Sequence, residues 1–263
     1  MRSRIIYMTI GLCLAMSMQA AEHDVTMAAK GGVAMLPKGT LQVGALVGLD
    51  VRYNCLFAIM KDVKLGLNTG IDAAYAMPSY QTSLEQSWTR TDQYGLQIDY
   101  TMNGVYKESL QQLHATIPVQ FALHAYGFSM GLGVGAQMMY TLQHKEETSD
   151  LSTTAYYPAF DVTIPNNDPA GLLTPADYSR TLGMKTMEWN VLLMAEVGYE
   201  WSMRKQDALG VQMFGSYALW STAKMPQTSQ SVPMAEAGLR VYYRFFVGLG
   251  KDDREHFNRY YEN

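Results

Sequence analysis

Long apolar runs are scarce in this chain of 263 residues. Outside residues 5–16 nothing approaches the ~20 consecutive apolar residues of a membrane-spanning helix, so a helical membrane protein is excluded. Charge is thin as well: Asp, Glu, Lys and Arg make up 17% of the sequence, against about 25% in an ordinary soluble domain. Cysteine is limited to Cys13 and Cys55. The shortage of metal-type residues is similar, with five histidines and no H-x-x-x-H or H-E-x-x-H spacing, which leaves a zinc site without its ligands.

The N-terminal apolar run is of a recognisable kind. Residues 1–20, "MRSRIIYMTIGLCLAMSMQA", place Arg2 and Arg4 before an apolar core and close on small or polar residues. That is the layout of a cleaved secretory signal. The core falls short of the ~17 residues a membrane anchor needs. Leu12 stands before Cys13 where a lipidation signal requires a small residue. Cleavage leaves Cys55 as the sole cysteine, so no intramolecular disulfide forms. It also leaves 18 basic residues against 24 acidic ones, a net charge of about −6 that offers no basic footprint for nucleic acid.

What the remainder has in abundance is alternation. In residues 115–125 the apolar set Ala115, Ile117, Val119, Phe121, Leu123 and Ala125 alternates with His114, Thr116, Pro118, Gln120, Ala122 and His124. After Tyr126 and Gly127 the pattern restarts with Phe128, Met130, Leu132, Val134, Ala136, Met138 and Tyr140 against a glycine-rich partner set. Period two marks strands, and the tight link marks a hairpin. The same alternation recurs over residues 25–35, 40–54, 63–75, 187–201, 209–220 and 235–246. Each strand is long enough to cross a bilayer at a tilt, which takes ~9 to 11 residues.

The two faces differ in kind. One is aliphatic and ends repeatedly in Tyr or Trp, as an interfacial aromatic girdle does. The other mixes glycine with isolated charges of both signs, which suits a narrow barrel interior where small residues make room and charges pair. Connections alternate in length: those near residues 58–62, 126–127 and 203–208 are short, whereas 77–109, 144–185 and 221–232 are long and polar. Only the link at residues 37–39 breaks this parity, which is that of an up-and-down membrane barrel with tight periplasmic turns. The expected fold is all-β, a transmembrane antiparallel up-and-down barrel of eight strands. Ten remain open, because residues 93–102 also alternate and serve either as an outward hairpin extension or as an added strand pair. A soluble secreted β-sandwich is the competing architecture.

With its strand at residues 110–123, "LQQLHATIPVQFAL", the glycine-rich "FSMGLGVGAQMMY" that follows and the closing "AGLRVYYRFF" at 237–246, the sequence resembles the small outer-membrane β-barrel family of Gram-negative bacteria, the OmpA-like and porin-like barrels. The resemblance covers residues 25–246. It implies an outer-membrane location, a surround of outer-membrane lipids and lipopolysaccharide, insertion by the barrel-assembly machinery, and no cofactor. The chain continues past its closing aromatic, so the division expected is signal peptide 1–20, barrel 21–246 and a short polar tail 247–263, too short for the ~100 residues of a further domain.

Candidate site residues follow from the inward face. Asp50, Arg52, Lys64, Asp72, Glu196, Arg240 and Arg244 are expected to form a lumen network of paired charges. Some barrels of this kind hydrolyse lipid A or phospholipid, and His114, His124, Ser129, Glu188, Glu196 and Glu200 are the groups on which such chemistry would draw. No triad spacing emerges, however, since His114 and His124 lie ~33 Å apart along one strand at ~3.3 Å per residue. Neither catalytic nor metal residues are therefore assigned. Asn166, Asn167 and Asp168 in "IPNNDPAG" read first as a turn and second as calcium contacts. In the long loop, Tyr156, Tyr157 and Phe160 are the expected surface-interaction residues, either meeting an external partner or folding back over the barrel mouth. Pro118, inside a strand with no free edge, predicts a bulge or a local ladder break.

Overall fold

A computed structural model describes residues 22–36, 40–60, 62–165, 178–182, 186–203, 207–222 and 233–249. The segment expected to be a signal peptide, the turn expected at residues 166–168 and the chain from residue 250 lie outside the described residues. Among the described residues twelve strands run in chain order: β1 Glu22–Met35, β2 Thr40–Leu41, β3 Val43–Met60, β4 Val63–Ala76, β5 Ser79–Thr91, β6 Gln97–Ala125, β7 Phe128–Tyr157, β8 Val162–Pro165, β9 Tyr178–Leu182, β10 Met187–Ser202, β11 Ala208–Ser221 and β12 Ala235–Leu249.

Eight of them close a ring. β1 pairs with β3, then β4, β6, β7, β10, β11 and β12 follow, and β12 returns to β1, every pair antiparallel. Followed across these ladders, Asp24 leads to Asn54, Asn68, Gln120, Gly133, Met194, Ser216 and Glu236, and arrives back on β1 at Ala34, ten residues further along. Eight strands with that stagger, at ~3.3 Å rise and ~4.8 Å spacing, tilt by about 40°. This is a transmembrane antiparallel up-and-down barrel, and the stretch at 93–102 adds no strand to it. Its second half begins β6, which runs unbroken for 29 residues. With β7, 30 residues long, it carries a sheet past the ring. β5 hairpins onto the upper half of β6, β8 and β9 pair with the upper half of β7, and β2 joins β5.

Outward positions of the ring are aliphatic and exposed, among them Val47, Leu49, Val51, Ile71, Ile117, Leu132, Val134, Leu193, Met213 and Leu239. Aromatic side chains bound this belt. Tyr53, Phe128, Tyr199, Trp201, Tyr243 and Phe245 lie at the turn end, three pairs of them in edge contact. Tyr75, Tyr140, Trp189, Tyr217 and Trp220 lie at the other end. Phe128 and Tyr140 stand twelve residues apart on β7, about 30 Å along the axis at that tilt, which matches a bilayer's hydrocarbon core. An apolar outside of this height rules out the soluble sandwich, whose outer faces must meet water.

Two local features show why the chain folds this way. Tyr126 and Gly127 both have positive φ, 53° and 83°, the two-residue turn whose twist matches its flanking strands. Pro118 is fully buried and faces the lumen. The β4–β6 ladder lapses opposite it, at Gly70 and Ile71, then resumes in the same register. The missing donor therefore produces a ladder break without a bulge. Thr69 Oγ1 donates to the Pro118 carbonyl at 2.8 Å across this gap.

Candidate functional site

The strand period that turns aliphatic residues outward turns every second residue into the ring, and there the charges meet in three tiers. In the middle tier Arg240 Nε donates to Asp50 Oδ2 at 2.7 Å and its Nη2 to Asp50 Oδ1 at 2.5 Å. Arg52 Nη1 donates to Glu196 Oε2 at 2.7 Å and to Gln120 Oε1 at 3.1 Å. Nearer the turns, Arg244 bridges Glu200 at 2.9 Å and Asp24 at 3.3 Å, and His124 Nδ1 lies 3.3 Å from Glu200. Toward the other end, Lys30 Nζ donates to Asp72 Oδ2 at 2.7 Å, with Glu236 at 4.0 Å, and His114 Nδ1 lies 2.9 Å from Glu236.

Six of the seven charged residues expected in the lumen are buried in these tiers. Lys64 is not: it is half-buried at the turn end, 2.5 Å from Glu22. The network also uses Asp24, Lys30, Glu200, Glu236, His114 and His124. Asp24 and Lys30 were within reach of sequence reasoning, since both fall on the buried parity of the first strand. Glu236 was visible as the polar partner of Ala237, but no pattern in the sequence tells that its carboxylate meets a histidine 122 residues earlier.

Such a network is costly to expose and costly to break. Each ion has been taken out of water, and close, hydrogen-bonded partners offset that cost. Among the described residues, small cavities lie between the tiers, one of about 10 Å³ beside Lys30, Asp72 and Glu236 and one of about 20 Å³ beside Arg52, Asn68 and Arg244. Each has room for about one water molecule. The upper part of the interior also holds apolar side chains, with Leu46, Ala74, Leu192, Met194 and Ala218 buried there. Over it Leu36, Tyr80, Tyr106, Met139 and Met234 form a further apolar cluster.

Of the groups considered for lipid hydrolysis His124 and Glu200 meet, at 3.3 Å, but Ser129 contacts neither of them directly. Ser129 Oγ accepts from Gln212 at 3.0 Å and lies 3.3 Å from the Tyr242 hydroxyl. Among the described residues no hydrogen bond joins it to either histidine, each of which holds its own carboxylate. Glu188 lies apart from them, on the inward face near the upper girdle, across the ladder from Met139. Among the described residues no group of three or more His, Cys, Asp or Glu is placed to hold a metal ion.

Beyond the ring, the lumen-side face of the projecting sheet is aromatic. Trp88 stacks on Tyr100 at 5.6 Å and 11°, with Ile98, Ala155 and Tyr157 packed beside them. Tyr157 thus belongs to this cluster, while Tyr156 and Phe160 are exposed near the β7–β8 turn. Tyr94 projects from the β5–β6 turn, 80% exposed.

No family model matches the sequence, and no curated protein matches it. Among solved structures the chain is similar to Ail, the attachment invasion locus protein of Yersinia pestis, at 12% identity over 86% of this chain and 99% of that one, with a TM-score of 0.33. It is similar also to Neisserial surface protein A, at 10% identity over 85% and 97%, TM-score 0.29. A monoaromatic hydrocarbon channel, CymD, aligns at 6% identity over 86% and 88%, TM-score 0.19. The class assigned here rests on the closed ladder and the apolar belt: an eight-stranded membrane β-barrel of the outer-membrane type, with an ion-paired interior.

Proposed function

We propose that the protein is a non-enzymatic outer-membrane barrel that anchors a β-sheet at the cell surface for contact with an external partner. The observation that carries this reading is the β6–β7 ladder, which continues past the upper aromatic girdle as far as Asp99 opposite Tyr156. A strand pair that needed only to span the bilayer would stop near Leu113 and Tyr140. Fourteen further residues of β6 and sixteen of β7 order a surface that the membrane does not require. The charged lumen serves as a filling that fixes the barrel, and the water-sized cavities argue against passage of a solute. On this reading residues 1–20 direct export, the barrel-assembly machinery inserts the chain, and lipids and lipopolysaccharide surround the belt. The tight turns and both termini then face the periplasm.

Tyr94→Cys tests the arrangement. A membrane-impermeant maleimide applied to intact cells is expected to label this variant and leave the parent unlabelled, since Cys55 lies on the belt side of β3. Labelling of Tyr94→Cys only after lysis would reverse the proposed orientation.

A further inference from the structure

Where the projecting sheet leaves the ring, a buried histidine meets a buried carboxylate, with two half-buried acids near them. His144 on β7 is 4% exposed and Glu108 on β6 is 2% exposed. The imidazole Nε2 abuts the Glu108 carboxylate, and Glu146 Oε1 lies 3.8 Å from it. Glu188 on β10 completes the group electrostatically. Tyr80 on β5 and Tyr106 on β6 lie against Glu108 and Glu146, and Arg180 on β9 stands opposite Glu146 in the ladder. Lys145 and Glu147 point to the other face and hold each other.

We infer that protonated His144 is a pH-sensitive latch that fastens the surface sheet over the barrel mouth by neutralising Glu108. The inference rests on the proposed surface role of that sheet and adds its regulation. Glu108 and Glu146 approach this imidazole and the charge of Glu188 acts on it from further off, whereas Arg180, opposite Glu146 in the ladder, is exposed. Glu108 lies against Tyr80 and Tyr106, which belong to the apolar cluster of Leu36, Met139 and Met234. An ionised carboxylate in such surroundings needs a cationic partner, and without one it must take up a proton or draw in water. Either response loosens the packing of Tyr80 and Tyr106 that closes the mouth.

The direction of the response follows from the imidazole. Burial alone would lower its pKa, but the Glu108 hydrogen bond and the charges of Glu108, Glu146 and Glu188 overcome this and raise it above the ordinary 6.5. A group whose folded pKa is raised contributes its full stabilisation below the unfolded value and loses it as pH rises through the folded value. The latch is therefore closed in acid and opens on the alkaline side of pH 6.5.

The mature chain refolded in lipid vesicles provides the test. The His144 imidazole, followed by NMR, is expected to titrate above 6.5. Amide exchange corrected for its intrinsic pH dependence should quicken about tenfold over residues 79–110 between pH 6 and 9, while residues 113–123 stay slow. His144→Gln should abolish that response. Should His144→Gln fail to fold, Glu108→Gln carries the same test, because it keeps shape and hydrogen bonding while removing the charge that the imidazole neutralises. A His144 titration at or below 6.5, or a pH response that persists in either variant, overturns the latch. Labelling of Tyr94→Cys is independent of it: a labelled but pH-insensitive sheet removes the latch alone, and an unlabelled but pH-sensitive one removes the surface role alone.

Discussion

Arg240 reaches from β12 across β1 to Asp50 on β3, closing two hydrogen bonds of 2.7 and 2.5 Å on one carboxylate. The pair ties together strands that share no ladder, so it holds the barrel's cross-section as well as its charge balance. Arg240→Met leaves Asp50 buried with Arg52 Nε at 3.4 Å as its remaining close cation. The expected loss is about 3–5 kcal/mol, the usual cost of stranding one member of a buried pair. Asp50→Leu combined with Arg240→Met should cost less than Arg240→Met alone, since no orphaned charge remains. Urea unfolding in vesicles, followed by tryptophan fluorescence, measures both. Strictly additive single and double variants would show that the two side chains are not coupled.

The belt makes a depth-dependent prediction. Leu49 and Val134 are exposed near its middle, whereas Val43 is exposed at its upper edge. Lysine at Leu49 or Val134 should destabilise the inserted barrel by about 2–4 kcal/mol, and lysine at Val43 by about 0–1 kcal/mol. The same unfolding measurement decides it. Equal costs at the three positions would mean that these faces do not meet lipid, and the transmembrane reading would fall with them.

Much of this was legible in the sequence because a strand's period is two and a closed barrel has two unlike faces. The alternation of Ala115 to Ala125 and of Phe128 to Tyr140 located a hairpin, and the turn at Tyr126 and Gly127 fixed its register. Parity likewise turned Asp50, Arg52, Asp72, Glu196, Arg240 and Arg244 inward. Partner choice was not legible, because it depends on stagger: Asp50 meets Arg240 only because the ladder gains ten residues in one circuit. The outward sheet was half legible. Residues 93–102 alternate, but alternation does not say whether a strand joins the ring or rises above it. His144 escaped notice altogether, since the bulge at Gln111/Gln112 shifts the inward parity of β7 from odd to even just before it.

Closure of the lumen yields the sharpest functional prediction. The middle tier spans the interior from β3 through Arg52 and Arg240 to β10 and β12, and cavities among the described residues beside it measure about 10 and 20 Å³. A hydrated ion needs several waters beside it, while each cavity holds about one. Ion flow would therefore require Asp50, Arg52, Glu196 and Arg240 to part together, each leaving a buried charge without its partner. The refolded protein in a planar bilayer is accordingly expected to show no steady single-channel current. Asp50→Ala with Arg240→Ala, which empties the tier of one pair and its side-chain volume, should introduce brief openings. A stable current from the parent protein would mean that the network opens, and the lumen would then have to be read as a passage instead of a filling.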